Sequence, residues 1–354
     1  MGKKILLCGA IAAEKNNFGD YLMTDILKRN ILMVDSNATF VLTNDGNENC
    51  KFNDYLKADC LIYVPGGYLG YIEKFYSGNF MKSRQRLFYY YLPGILAYFL
   101  RKPILFIGQG VGPYEYCWLA KILKFIFNHA AFITVRDDES KNFLTQIGVK
   151  RNVFVTSDTS QTLLNHNYIR NTLDTNRMSV IFKKTEKIIF ILYTEFPIWK
   201  TKLLDALKKG LLQDENIGFV IGADNVVNMS ELREFANNFP KDRTFIFQYR
   251  THIQLLSILD KVDIVLTCKL HTGITGCTLS KSVICFALQY EKTKCYYKQI
   301  GESNRVRDLF SVSSEEMYHL ILRYYDKSVN LPIEIKNKAE LNFVYLKRIL
   351  KKLS

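Results

Sequence analysis

The sequence predicts an α/β protein of two doubly wound, Rossmann-like domains facing one another across a cleft. Three observations predict it. Short β-branched runs alternate with helical stretches along nearly the whole chain, the pattern of parallel strands joined by crossover helices. The runs fall into two series separated by a polar, weakly patterned stretch. The 354 residues exceed one ordinary core and suit two of roughly 150 to 180 residues apiece.

In the first series the strand candidates are KKILLCG, ATFVLTN, ADCLIYVPGG, KPILFIGQG, AFITVRD and NVFVTSD. Helices are expected to start near Asp20, Arg84, Tyr116 and Asp138, the last ending at Gly148 in a left-handed cap. The second series reads KIIFILY, IGFVIGAD, TFIFQY, VDIVLTC and SVICFAL, with helices between such as THIQLLSILD, N-capped by Thr251. The expected divisions are an N-terminal domain at 1–165, a linker at 166–186, a C-terminal domain at 187–330 and a basic amphipathic helix at 331–354. In that helix Leu341, Tyr345, Ile349 and Leu353 share one face while Lys347, Arg348, Lys351 and Lys352 lie elsewhere. Peripheral contact with an anionic membrane and packing on the protein with a solvated lysine face are both open to such a helix.

Composition narrows the function classes. With 48% hydrophobic residues both domains can bury a core. The eight cysteines form no C-x-x-C pair and several sit inside apolar runs, the usage of a reduced, cytosolic chain without a cysteine zinc site. The opening MGKKILLCGAIAAEK has basic residues before an apolar stretch, but that stretch is brief and polar residues follow at once, so it reads as the first strand rather than a signal sequence. LFYYYLPGILAYFL, at 87–100, falls short of the ~20 residues of a membrane helix and contains Pro93-Gly94. It reads as a buried or surface-docked helix. The net charge of +14 favours an anionic partner. With no zinc finger, RNA-binding aromatic signature or helix-turn-helix, nucleic acid is not that partner.

In doubly wound sheets ligands bind beyond the carboxyl ends of strands, so the polar residues ending each apolar run are the candidates. They are NNFGD (16–20), PGGYLG (65–70), GQGVGP (108–113), RDDES (136–140), SDTS (157–160) and KLHTG (269–273). Glycines such as Gly66, Gly67 and Gly110, with Gln109 between, would let backbone N–H groups approach a phosphate. The first loop lacks G-x-G-x-x-G spacing, which argues against a nicotinamide or flavin site. Arg136 ends its strand either as an anion clamp or as a partner of Asp137 or Asp138. Asp20 and Asp158 are each a helix cap or a ligand to a sugar hydroxyl.

His271 stands where an apolar strand gives way to TGITGCTLS. A helix N-terminus lowers a histidine's pKa and an anionic substrate raises it, so the imidazole is either an acid near neutral pH or a satisfied structural residue. Lys269, two residues earlier, would project to the same face if the strand persists.

Taken in order, NFGD, PGG, GQGVGP, VRDDES, SDTS and KLHTGITGCTLSKSVICFALQY, followed by Lys292 and Lys294, resemble the polysaccharide pyruvyl transferase family over roughly residues 3 to 300. The resemblance implies a GT-B-like fold and transfer of the pyruvyl group of phosphoenolpyruvate to a sugar, often carried on a polyprenyl diphosphate, in capsule or exopolysaccharide assembly. It implies no metal and no cofactor beyond the donor. By matching position it makes His271 the general acid, Arg136 a ligand for donor phosphate or carboxylate and Asp20 an acceptor-side residue. Either Lys292 or Lys294 becomes the downstream basic residue. Two departures stand out: Lys269 takes the place of an arginine, and Tyr68 that of the last glycine of a triplet, where it is expected to narrow the cleft. A glycosyltransferase using a nucleotide sugar and a non-catalytic, membrane-associated scaffold are the alternatives.

Overall fold

The computed structural model describes residues 2–10, 17–43, 50–69, 87–112, 117–183 and 185–353. The helix starts expected at Arg84 and Tyr116 lie outside these residues, as do Asn16, Gly70 and Pro113 of the strand-end motifs. The chain divides into two compact units, one made of Met1–Ile11, Asp20–Thr162 and Ile333–Ser354, the other of Ala12–Gly19 and Leu163–Pro332.

The first unit is built on a parallel sheet of β1 (Lys4–Cys8), β2 (Thr39–Leu42), β3 (Cys60–Tyr63), β4 (Gly66–Leu69), β5 (Ile104–Val111), β6 (Phe132–Val135) and β7 (Phe154–Val155). Its order is β2-β1-β3-β5-β6-β7, with β4 continuing the line of β3 along the second half of β5. Gly66, Gly67 and GQGV are therefore strand rather than loop. Their backbone groups are partly engaged in the ladder between β4 and β5, where Gly66 lies opposite Gln109. At Gly108 the register with β6 shifts and φ is 57°, a left-handed bulge that glycine adopts without strain. β1, β3 and β5 are buried almost throughout, as expected of parallel strands covered on both faces.

Helix α1 (Phe18–Leu32) follows β1, and α2 (Asp138–Gln146) follows β6. Asn17 accepts from the Gly19 N–H at the start of α1, so the capping role falls to Asn17 and Asp20 lies within the first turn. Gly148 closes α2 at φ 84°, as the sequence predicts.

The last helix, α3 (Ile333–Lys352), belongs to this first unit. Its buried face is Ile335, Ala339, Asn342, Phe343, Leu346 and Leu350, not the Leu341, Tyr345, Ile349 and Leu353 stripe read from the sequence. A single polar residue displaced the reading. Asn342 is fully buried, its Oδ1 accepting from the hydroxyls of Thr134 (2.7 Å) and Thr156 (2.9 Å) and its Nδ2 donating to the carbonyls of Ser157 and Ala339. With every hydrogen-bonding group met, an amide is stable in the core, and pattern alone assigns it to the surface.

The second unit carries β8 (Lys187–Leu192), β9 (Ile217–Gly222), β10 (Thr244–Phe247), β11 (Ile264–Thr267), β12 (Ser282–Ala287) and β13 (Val306–Asp308). All are parallel, in the order β10-β9-β8-β11-β12-β13. The three-residue edge strand β13 has no sequence pattern of its own. THIQLLSILD forms α4 (His252–Lys261), with Thr251 accepting from the Gln254 N–H as expected. The stretch read as a linker contains helix Leu173–Ile181, capped by Thr172 and burying Thr175 and Met178 in this unit.

Candidate functional site

Strand order reverses direction between β1 and β3 in the first sheet and between β8 and β11 in the second. At such switch points the crossovers leave to opposite faces and a crevice opens beyond the strand ends.

In the first sheet that crevice is filled. The Tyr68 hydroxyl donates to the carbonyls of Val64 (2.8 Å) and Cys8 (3.1 Å), bridging the ends of β3 and β1, and a Cβ on Gly9 would stand 2.7 Å from its ring. Burial, reinforced by Cys8, pushes the hydroxyl well above its ordinary 10, so it remains a donor. Tyr68 is thus a plug at the strand ends. Gln109 lies beneath it, fully buried, with Nε2 donating to the carbonyls of Tyr63, Val64 and Ile107.

The other candidates of this unit gather further along the sheet. Arg136 is buried, with Nε 3.4 Å from the Asp137 carboxylate and Nη1 3.5 Å from Asp158. Its guanidinium lies on the backbone of Gly110, where a Cβ would come within 2.7 Å of it. Asp137 also caps α2 through the Ser140 N–H. Asp158 likewise has two tasks: Oδ1 accepts from the Ser160 N–H and hydroxyl (3.0 and 2.6 Å) while Oδ2 faces Arg136. The asparagine of α3 supports this cluster from behind, since Thr134, which bonds Asn342, also holds the Gly108 N–H at 2.7 Å.

In the second sheet the switch point holds the start of α5 (Leu270–Thr278), directly after β11. β11 ends at Thr267, so Lys269 is the helix N-cap and His271 the second helical residue; they do not share a strand face. Gly19 fits against the imidazole, and a Cβ there would fall 2.2 Å from Nδ1 and 2.5 Å from the histidine Cβ. Residues 17–19 are fixed to the same place by the Phe18 N–H, which donates to the Asp224 carbonyl at 3.0 Å.

Asp224 is the residue that the candidate set lacked. Its carboxylate, nearly buried, pairs with Lys269 Nζ at 2.5 Å and accepts from the Thr272 hydroxyl at 3.4 Å. Burial alone would lower the Lys269 pKa, but the charge and hydrogen bond of Asp224 outweigh it and hold the pKa above the ordinary 10.5. Asp224 ends IGFVIGAD, so the strand-end rule applied to β9 identifies it. Lys292 and Lys294 lie in helix Tyr290–Gln299 after β12. Lys292 is half-buried; Lys294 is exposed, with Nζ 5.4 Å over the Tyr290 ring.

Among the described residues no cluster of three or more His, Cys, Asp and Glu is arranged to hold a metal ion. Several cysteines are buried and free; burial pushes Cys8, Cys60, Cys268 and Cys277 up to about 12, which leaves them protonated packing residues.

Two parallel sheets with crossover helices define a GT-B-like α/β protein. The same fold is found in a Listeria monocytogenes protein assigned as a UDP-N-acetylglucosamine 2-epimerase (TM-score 0.66, 11% identity, 99% of this chain and 98% of that one). It is found also in the UDP-GlcNAc 2-epimerase of Methanocaldococcus jannaschii (0.64, 12%, 99% and 100%) and in Anabaena HepE in complex with UDP-glucose (0.57, 13%, 99% and 98%). At these identities the likeness extends to the fold alone. No curated protein matches by sequence. The model of the polysaccharide pyruvyl transferase family matches residues 17–290, and the chain belongs to that family.

Proposed function

We propose that the protein transfers the pyruvyl group of phosphoenolpyruvate to a sugar of a lipid-linked glycan precursor, forming a cyclic ketal and releasing phosphate in capsule or exopolysaccharide assembly. The reading places it in the cytoplasm, at the inner face of the membrane that carries such precursors. The observation that carries it is His271: a family member's histidine at the start of a helix, at the switch point of its sheet, with its ring seated on Gly19.

In this reading His271 protonates the methylene carbon of the donor, and the adjacent carbon takes on oxocarbenium character. One sugar hydroxyl attacks that carbon, and its proton returns to His271. The second hydroxyl then attacks the same carbon, the bond to phosphate breaks, and the departing phosphate takes the second proton. The donor carries about three negative charges at neutral pH, which charge-assisted hydrogen bonds hold best. Arg136 is assigned to its phosphate or carboxylate, with Lys292 rather than the solvent-facing Lys294 as the downstream cation. Gly66, Gly67 and Gly110 contribute close backbone approach, Asp158 orients Arg136, and Asp20 serves the acceptor. No metal or further cofactor enters. Gln109 and Lys269 act through position, the first bonded to three carbonyls and the second to Asp224.

The test is incubation of the purified protein with phosphoenolpyruvate and lipid-linked sugars, following phosphate release and the mass of the ketal. His271→Ala is expected to lower turnover by about 10²- to 10⁴-fold, the range of a general acid, with an unchanged melting curve. Full activity in His271→Ala and Arg136→Ala would overturn the assignment of roles. Thermal stabilisation by a nucleoside diphosphate but not by phosphoenolpyruvate would replace the reading with a nucleotide-sugar transferase.

A further inference from the structure

Residues 87–100 contain no charged side chain and form one π-helical turn, Leu87–Tyr91, running into helix Leu92–Phe99. Its two faces reverse the usual order of size. Tyr91 is buried at the end of the π-helical turn, but along Leu92–Phe99 the inward face is small, with Pro93, Gly94 and Ala97 buried; a Cβ on Gly94 would stand 2.4 Å from the Tyr63 hydroxyl and 2.8 Å from Ile126. The outward face is large and apolar. Phe88 is 59% and Phe99 72% exposed, with Leu92 between them at helical spacing and Tyr89 and Tyr98 also exposed.

A short neighbouring helix extends the surface. Phe52–Lys57 presents Phe52 and Leu56 to solvent, and Lys102 Nζ donates to the Leu56 carbonyl at 2.8 Å, which joins the two segments. Single exposed apolar residues need no explanation, but a contiguous group of this size marks a contact surface.

The surroundings decide what the surface contacts. Arg101 and Lys102 follow the helix directly, Lys57 ends the short one, and no acidic residue occurs between 87 and 102. Tyr98 packs edge-on against Phe125, and Lys121 is exposed one turn before it. Among the described residues no helix is long and apolar enough to cross a membrane. A short apolar helix with aromatic residues on its outer face and cations at its end suits a position in the plane of the headgroups, where rings enter the acyl boundary and ammonium and guanidinium groups meet lipid phosphate.

We propose that the 87–99 helix, with Phe52 and Leu56, is the surface by which this protein docks on an anionic lipid bilayer, in place of the basic C-terminal helix. The inference goes beyond the proposed reaction and stands or falls without it.

The experiment is co-sedimentation of the full chain with phosphatidylcholine vesicles, with and without roughly one third phosphatidylglycerol. Retention on anionic vesicles is expected, with an at least ten-fold loss in Phe88→Ser/Phe99→Ser. The substituted side chains already face water, so the melting temperature is expected to hold. Arg101→Glu/Lys121→Glu, which alters no apolar contact, is expected to weaken retention on anionic vesicles only. Unchanged retention in Phe88→Ser/Phe99→Ser would overturn the proposal, as would retention lost only on replacing Lys347, Arg348, Lys351 and Lys352. It would also be overturned by a chain that ignores vesicles but sediments as a dimer which those serines dissociate, since the surface would then join two copies.

Discussion

The two sheets obey one topological rule and use it differently. Beyond β1 and β3 the switch point is occupied by the chain's own Tyr68, anchored to the carbonyls of Cys8 and Val64. Beyond β8 and β11 it is occupied by a helix N-terminus that presents Lys269, His271 and Thr272, with Asp224 opposite. In the first sheet the charged candidates Arg136 and Asp158 sit instead beyond the ends of β6 and β7, where Arg136 is buried between two carboxylates. A crevice is thus an opportunity supplied by topology, and the side chains that enter it decide whether it becomes core or site. The positive charge of Arg136 is offset by its neighbours, as is that of Lys269. His271, by contrast, is placed by close packing of its ring against Gly19.

Three substitutions or conditions would break or sharpen this contrast. Tyr68→Gly, which restores the residue the family resemblance implies, is expected to have the largest effect: about 3–5 kcal/mol of lost stability, the cost of emptying a buried aromatic site. A denaturation curve measures it, and a stable variant with altered acceptor use would show instead that the first switch point is a site. Gly19→Ala comes next. Its Cβ conflicts with the imidazole from Cγ to the histidine Cβ, so the ring must move, and displacement of a catalytic group by about 1 Å costs on the order of 10²-fold in turnover. Activity and melting temperature measured together separate this from unfolding.

The smallest effect concerns pH. The folded-state pKa of Lys269 is raised above 10.5, so the stability of its pair with Asp224 is fully present below 10.5 and is lost as pH rises through the folded value. Across neutral pH the pair is therefore silent, and a thermal-melt series from neutral to strongly alkaline pH is expected to show its loss only at the alkaline end. A loss near neutrality would mean that Lys269 lacks the Asp224 carboxylate as its partner.

The central strands were legible because parallel strands buried on both faces are apolar along most of their length, as β3, β9, β11 and β12 are. β13 was not, since three edge residues gain their conformation from β12 rather than from their own pattern. The positions of His271 and Arg136 shortly after β11 and β6 were legible from the apolar runs that precede them. What Arg136 binds was open, because Asp137 and Asp158 are both within reach and only coordinates show that both are used. The partner of Lys269 was not legible for the same reason: it lies 45 residues away on another strand end. Tyr68 read as an obstruction in a cleft, and its hydroxyl geometry makes it a structural bridge. Asn342 was invisible, since four hydrogen bonds inverted the polarity that pattern reading assigns to it.

The place of α3 has a consequence for the order in which the protein is made. The helix that supplies Asn342 to the Thr134 and Thr156 hydroxyls is translated after the whole of 163–332. A ribosome therefore releases most of the first unit early but withholds one of its walls until the second unit has emerged. Domains commonly fold in the order of their synthesis. Here the second to be synthesised is the first that can be finished, and the Arg136 cluster gains its backing only when the last helix leaves the exit tunnel.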